Sequence, residues 1–198
     1  MSVLVGKTAP DFVLNAVYGN NEIKALNLLD YRGRYALLFF YPLDFTFVCP
    51  SELIALDHRL AEFARRNTEV IAVSIDSEYT HLAWKNTPIN QGGIGQVGYP
   101  LVADIKRSLC QTYGVEDTDG TSLRASFLID RAGVVQHQSV NNTSLGRNID
   151  DLLRLIDALQ FNEEHGDACP AGWQKGDAGI VQSPEGVAGY LAKHAADL

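Results

Sequence analysis

The strongest constraint on the fold is an apolar run at residues 36–41, which predicts a β-strand buried on both faces. Residues 70–75 form a second run, rich in β-branched side chains, and predict another buried strand. The segment between them carries apolar residues at helical spacing: Leu53, Leu56, Leu60, Phe63 and Ala64. This order predicts a strand, a helix and a parallel strand.

Further along the chain, residues 126–129 and 134–137 read as two strands joined by the turn residues 130–133, which predicts a hairpin. A last long helix is predicted from its apolar stripe: Ile149, Leu152, Leu153, Ile156 and Leu159. The order of these elements is that of a thioredoxin-like α/β fold, with a central mixed sheet flanked by helices. We expect this domain to cover residues 1–161. Residues 162–198 are expected to form an extended C-terminal arm with one short helix at residues 184–193.

Composition narrows the classes of function. The 198 residues are 46% hydrophobic, which is enough for a full core. Sixteen basic residues against 24 acidic ones give a net charge of −8, which disfavours nucleic acid and anionic membranes as partners. The longest apolar run, residues 35–41, is far shorter than the roughly 20 residues of a membrane span. The first residues do not resemble a signal peptide, so we expect a cytoplasmic location.

Cys49 is the candidate nucleophile. It lies between the first buried strand and the amphipathic helix, and Pro50 follows it, as expected at the first position of a helix. Unpaired N–H groups and the positive end of the helix dipole stabilise a thiolate at such a position. Thr46, three residues upstream, can place a hydroxyl beside the sulfur, and Pro42 can shield the pocket rim. The alternative for an isolated cysteine is a buried residue without chemistry.

The other cysteines give different signals. Cys110 lies in a predicted short helix capped by Asp104 and ended by Gly114, and we expect it to be a passive, partly buried side chain. Cys169 lies in the arm, where it is either a plain surface thiol or a thiol that can meet oxidised Cys49. The five histidines show neither metal-ligand spacing nor pairing with a nucleophile, and we expect structural or solvent-facing roles.

Three motifs resemble the typical two-cysteine peroxiredoxins of the alkyl hydroperoxide reductase type. Pro42, Thr46 and Cys49 match the Pro-x-x-x-Thr-x-x-Cys motif of the peroxidatic loop. Arg124 matches the active-site arginine of that family, and residues 165–173, around Cys169, resemble its resolving-cysteine motif. The resemblance extends from about residue 6 to residue 173.

The resemblance implies a peroxidase that reduces hydrogen peroxide and small alkyl hydroperoxides without a metal or an organic cofactor. It implies that Cys169 of a partner subunit forms a disulfide with Cys49, in a homodimer that commonly assembles into a decameric ring. Thioredoxin or a flavoprotein disulfide reductase would regenerate the thiols. It also implies that Glu52 and Arg147 hold Arg124 in place, whereas residue type alone favours plain surface charges for Glu52 and Arg147.

Two alternatives remain at the level of sequence. A holdase chaperone is compatible with the same family, and a thiol–disulfide oxidoreductase with the same fold, although Cys49 lacks the second nearby cysteine that this activity uses.

Residues 92–95 resemble a Gly-Gly-Leu-Gly element that, in some members, packs on a C-terminal Tyr-Phe pair. Leu191 stands in the place of that phenylalanine beside Tyr190, which predicts a weaker clamp and resistance to over-oxidation.

Overall fold

The computed structural model describes residues 3–196, which form two compact units that divide between Ile149 and Asp150. The last long helix thus groups with the C-terminal arm, whereas the sequence analysis placed it in the first domain, up to residue 161. Each unit is described separately below.

The first unit is built on one mixed sheet. Within residues 3–196, this sheet has seven strands in the order β2-β1-β5-β4-β3-β6-β7. The strands are β1 (Val13–Val17), β2 (Ile23–Asn27), β3 (Tyr35–Phe40), β4 (Thr68–Ser74), β5 (Leu101–Ala103), β6 (Arg124–Ile129) and β7 (Val135–Asn141). The β3–β4 and β4–β5 pairs are parallel, and the other pairs are antiparallel. Every residue of β3 is buried, as the apolar run predicts.

Helices lie between the strands: α1 (Cys49–Asp57) and α2 (Leu60–Arg65) connect β3 to β4, α3 (Glu78–Asn86) connects β4 to β5, and α4 (Ser108–Thr112) lies between β5 and β6. There are also 3₁₀ turns at Leu28–Tyr31 and Ile89–Gln91. The single helix predicted between β3 and β4 is in fact two, because the backbone of Arg59 leaves the helical region (φ −111°, ψ 7°). Leu60 is therefore only half-buried and Ala64 is exposed, while Phe63 is buried.

The capping of α4 also differs from the prediction. Arg107, with φ 59°, immediately precedes the helix, so Asp104 is not its N-cap residue. The Asp104 carboxylate nevertheless accepts hydrogen bonds from the backbone N–H groups of Leu109 (3.1 Å) and Cys110 (2.7 Å). Asp104 therefore caps α4 although it is not the residue next to the helix. The left-handed backbone of Arg107 turns the chain so that the first N–H groups of α4 reach the Asp104 carboxylate. Gly114, with φ 68°, follows the end of the helix as predicted.

The predicted hairpin is confirmed. In the turn between β6 and β7, Asp130 Oδ1 accepts from the N–H groups of Ala132 (2.9 Å) and Val134 (2.8 Å), and Gly133 has φ 85°. This left-handed conformation is one that glycine adopts without steric cost.

The second unit contains α5 (Ile149–His165) and α6 (Pro184–His194), which confirm the two predicted helices. The segment between them is more ordered than the sequence suggests. Ala168 forms an antiparallel bridge with Ile180, and the Trp173 ring, buried, packs on Phe161 with ring centroids 4.9 Å apart. No helix within residues 3–196 is long and apolar enough to cross a membrane.

We expect Asp104→Ala to lower the free energy of unfolding by about 2 kcal/mol, because two buried N–H groups lose their acceptor. Urea denaturation measures this loss. Ser108→Ala is the matched control, since the exposed Ser108 hydroxyl makes only a 3.3 Å contact with Asp104 and should matter much less. Equal effects of the two substitutions would contradict this capping role.

Candidate active site

Cys49 occupies the start of α1, as predicted, and its side chain is completely buried. The loop at residues 41–48 connects it to β3. Val48, the N-cap residue, makes no side-chain capping bond, and Pro50 lies in the first turn. The positive end of the α1 dipole therefore acts on the Cys49 sulfur.

Two polar groups contact that sulfur. Thr46 Oγ1 lies 3.0 Å from Cys49 Sγ, and Arg124 Nη1 lies 3.4 Å from it. Thr46 Oγ1 is also 2.7 Å from the carbonyl oxygen of Leu43. Because a hydroxyl carries a single proton, Thr46 donates to one of these two acceptors at a time.

Arg124 is held in place by its position in β6 and by hydrogen bonds to Thr143 and Glu52. It is the first residue of β6, and its Nε donates to the carbonyl oxygen of Thr143 at 2.7 Å. Its Nη1 donates to Glu52 Oε2 at 2.8 Å, and both side chains are almost fully buried. The guanidinium therefore meets the sulfur in a fixed orientation.

Glu52 links Arg124 to a second arginine. Arg147 donates to Glu52 through Nε (2.9 Å) and Nη2 (3.0 Å), and its backbone N–H donates to the same carboxylate at 2.8 Å. The Arg147 guanidinium also stacks on the Phe39 ring, 3.2 Å from the centroid. Only 4% of the Arg147 side chain and 2% of the Glu52 side chain are exposed. The alternative of plain surface charges is therefore wrong for both residues.

The cluster determines its own charge balance. Burial raises the pKa of Glu52, but the hydrogen bonds and charge of Arg147, together with the charge of Arg124, outweigh it and leave that pKa below its usual value. Glu52 is thus a carboxylate at neutral pH. One carboxylate between two guanidinium groups leaves one uncompensated positive charge, which a Cys49 thiolate neutralises.

A cleft of about 370 Å³ lies over this cluster. Its lining includes Pro42, Thr46 and Arg124, all of which the sequence analysis selected. The lining also includes Asp119 and Thr121, which that analysis missed. The feature of the sequence that could have identified Asp119 and Thr121 as cleft residues is their position a few residues before Arg124. The volume is at the small end of the range for ligand pockets, so it suits a small substrate.

The remaining cysteines lie elsewhere. Cys110 is 1% exposed in the first unit, and burial raises the pKa of its thiol to about 11. Cys169 belongs to the second unit, where it is half-buried and its Sγ is 3.4 Å from the Ala158 carbonyl oxygen. Burial raises the pKa of Cys169, against the opposing charge of Arg154. All three cysteines are free thiols.

The structure also describes the glycine-rich segment at residues 92–95 and the C-terminal residues Tyr190 and Leu191, which the sequence analysis proposed as its partners. A Cβ atom at Gly93 would fall 1.8 Å from the Thr87 carbonyl oxygen, so only glycine fits there. In the second unit, Leu191 is 43% exposed, and the Tyr190 ring packs on His194 with centroids 4.5 Å apart. The proposed clamp between these two elements stays a prediction.

Within residues 3–196, no group of three or more His, Cys, Asp or Glu side chains is arranged to hold a metal ion.

Comparisons with known proteins agree with this geometry. Residues 5–138 match the model of the AhpC/TSA family, and residues 158–193 match that of the C-terminal domain of 1-Cys peroxiredoxin. The chain is 50% identical over 198 residues to alkyl hydroperoxide reductase C of Helicobacter pylori strain ATCC 700392 / 26695, covering 99% of this chain and 100% of that protein. It is 47% identical over 191 residues to peroxiredoxin-2 of Cricetulus griseus, covering 96% of each.

A solved structure extends the similarity to three dimensions. The reduced 2-Cys peroxiredoxin of Plasmodium vivax superimposes with a TM-score of 0.95 at 53% sequence identity, covering 96% of this chain and 100% of that one. The thioredoxin-like fold expected from the order of elements is thereby confirmed.

We expect Glu52→Gln to lower the free energy of unfolding at neutral pH by about 3–5 kcal/mol, because two buried guanidinium groups lose their counter-charge. The stabilisation by ionised Glu52 is complete above its ordinary pKa of 4.5 and is lost as the pH falls through its lower folded-state pKa. The difference between wild type and variant should therefore shrink in acid.

Urea denaturation at neutral and acidic pH measures this difference. Glu62→Gln is the control, because the Glu62 side chain is 43% exposed, so the loss of its ion pairs with Arg65 and Arg66 should change little at either pH. A difference between wild type and Glu52→Gln that does not vary with pH would contradict the assigned ionisation.

Proposed function

Because this chain belongs to the AhpC/TSA family of peroxiredoxins, we propose that its thiol-dependent peroxidase activity uses Cys49 as the nucleophile and reduces hydrogen peroxide and small alkyl hydroperoxides. One observation carries the residue assignment: the Cys49 sulfur contacts both the Thr46 hydroxyl and the Arg124 guanidinium, which Glu52 and Arg147 hold in place.

In the first step, the Cys49 thiolate attacks the outer oxygen of the hydroperoxide. A sulfur–oxygen bond forms as the oxygen–oxygen bond breaks, so sulfur is oxidised and peroxide is reduced. The departing oxygen leaves as an alkoxide or hydroxide and takes up a proton to become alcohol or water. Cys49 becomes a sulfenic acid.

Arg124 and Thr46 assist this step by opposing the build-up of charge. Negative charge moves from sulfur towards the departing oxygen, and a fixed guanidinium with several donors can contact both ends of that path. The bond to Thr143 and the ion pair with Glu52 hold Arg124 before the substrate arrives, so little reorganisation accompanies the reaction. Pro42 lines the cleft, where its ring can shield one side of the site.

In the second step, the Cys169 thiol of a partner subunit attacks the sulfenic acid, releasing water and forming the Cys49–Cys169 disulfide. Half-burial raises the pKa of Cys169 in its present position, so movement of the arm into solvent would make this thiol more reactive. A dithiol donor, either thioredoxin or a flavoprotein disulfide reductase, then restores both thiols. The functional division that we propose is a peroxidase domain at residues 1–161 and an arm at residues 162–198 that carries the resolving thiol.

The proposed assembly is a homodimer, and a decameric ring of such dimers, in line with the family. A reducing compartment such as the cytoplasm suits a chain whose three thiols are all free. Of the other activities weighed, thiol–disulfide exchange lacks a second cysteine near Cys49, and a chaperone role has no feature of the site in its favour.

We expect Cys49→Ser to abolish hydrogen peroxide consumption, because the Cys49 sulfur contacts the Thr46 hydroxyl and the Arg124 guanidinium in the active-site cluster. Cys110→Ser should leave consumption near wild type, because burial raises the pKa of the Cys110 thiol to about 11. Cys169→Ser should still consume one equivalent and then stop in a thioredoxin-coupled assay. Comparable losses in the Cys49 and Cys110 variants would refute the assignment of the nucleophile.

We expect Arg124→Ala to lower the second-order rate constant for hydrogen peroxide by about 10²–10³-fold, as the loss of a preorganised donor does in other enzymes. Arg124→Lys should also be impaired, because one ammonium group cannot reach Thr143, Glu52 and the sulfur together. Stopped-flow kinetics measures both, with Arg34→Lys at an exposed ion pair as the control. A fully active Arg124→Lys variant would exclude this geometry.

A further inference from the structure

A buried Asp–His pair lies next to the active site and has no part in the chemistry described above. Asp44 belongs to the loop between β3 and α1, two residues before Thr46, and His81 belongs to α3. His81 Nδ1 lies 2.8 Å from Asp44 Oδ2, and neither side chain is exposed at all. The sequence analysis classed His81 with histidines of structural or solvent-facing roles, because no spacing in the sequence connects it to Asp44.

The hydrogen bonds of the pair define its protons. His81 Nε2 lies 3.2 Å from the carbonyl oxygen of Val102, which can only accept, so Nε2 carries a proton. Tyr41 donates its hydroxyl proton to Asp44 Oδ1 at 2.8 Å. One further proton must then lie between Nδ1 and Oδ2. Whichever atom holds it, the pair has no net charge, and its hydrogen bonds fix the position of the Asp44 side chain.

The backbone of Asp44 is also fixed by a hydrogen bond. Its N–H donates to Asp76 Oδ2 at 2.9 Å, and that same oxygen accepts the Ser74 hydroxyl at 2.7 Å, at the end of β4. Burial raises the pKa of the Asp44 carboxyl, with His81 opposing the shift, as expected for a carboxyl that shares a proton in the interior. Asp44 is thereby held to β4 and α3 through separate contacts.

The residues on either side of Asp44 transmit this anchoring to the active site. Leu43, on one side, presents the carbonyl oxygen that lies 2.7 Å from Thr46 Oγ1. Phe45, on the other side, has φ 54°, a left-handed conformation that a residue with a Cβ atom adopts only at a cost in free energy. A loop released from its anchor would relax away from this conformation, and Thr46 follows directly after it.

We propose that the Asp44–His81 pair is a positioning pair for the peroxidase reaction: it holds the turn at Phe45 so that the Thr46 hydroxyl stays in contact with the Cys49 sulfur. This inference rests on the proposed function of Cys49. It assigns to Tyr41, Asp44 and His81 an effect on the rate of the first step that acts entirely through Thr46.

The test compares two buried tyrosines. Tyr41→Phe removes the donor to Asp44, and Tyr113→Phe removes a buried hydroxyl that donates to the Pro10 carbonyl oxygen at 2.9 Å, away from the loop. The measurement is the single-turnover rate constant of sulfenic acid formation with hydrogen peroxide, under conditions where both proteins are fully folded. We expect a loss of about threefold to tenfold for Tyr41→Phe, the effect of one hydrogen bond. Tyr113→Phe should be unchanged.

Substitutions of Asp44 separate hydrogen bonding from charge. Asn at this position can accept from Tyr41 and donate to a neutral His81, so Asp44→Asn should retain most of the rate. Asp44→Ala cannot make either bond and should lose more than Tyr41→Phe. If Asp44→Asn were as impaired as a folded Asp44→Ala, the geometric role would be excluded. If Asp44→Ala does not fold, the two tyrosine variants decide the question.

The final arm tests the route through Thr46. In a Thr46→Val background the hydroxyl is absent, so Tyr41→Phe should cause no further loss of rate. An undiminished effect of Tyr41→Phe in that background, or equal rates for Tyr41→Phe and Tyr113→Phe, would overturn the inference. The proposed function is tested separately, because peroxide consumption by wild type and its loss in Cys49→Ser do not depend on any of these variants.

Discussion

The active site depends on one buried carboxylate. Glu52, one turn into α1, accepts hydrogen bonds from both Arg124 and Arg147, and so joins the helix that begins at Cys49 to β6 and to the segment before α5. The register of the sheet makes this possible: Phe39 of β3 pairs with Ser126 of β6, which brings Arg124 level with the start of the loop that leads to Cys49. Without Glu52, two guanidinium groups would remain buried with no counter-charge.

Charge balance connects this network to reactivity. The carboxylate of Glu52 lies between the guanidinium groups of Arg124 and Arg147, and Arg124 also contacts the Cys49 sulfur, so the same cation takes part in the charge network and in the reaction. The Asp44–His81 pair anchors the middle of the loop that leads to Cys49. Buried polar groups therefore anchor this segment at Asp44 and, within α1, at Glu52, and Thr46 lies between these two residues, in contact with the sulfur.

The sequence predicted the parts of the molecule that local patterns encode. The apolar run of β3, the turn residues of the hairpin, and Pro50 after Cys49 each act within a few residues, and the structure agrees with them. Local sequence patterns could not predict contacts between residues far apart in the chain. Glu52 and Arg147 are 95 positions apart, and residue type alone suggested exposed charges for both. Family resemblance supplied that pairing, but nothing in the sequence indicated Asp44–His81 or the break in the helix at Arg59.

We expect oxidation to begin at a single sulfur, which is selected by its hydrogen-bond partners rather than by exposure, since Cys49 is fully buried and Cys169 is not. The direct test uses Cys169→Ser protein treated with one equivalent of hydrogen peroxide in the presence of a sulfenic acid trap, followed by peptide mass mapping. We expect the trap on the peptide that contains Cys49. Labelling of Cys110 instead, or labelling divided equally between the two cysteines, would contradict it.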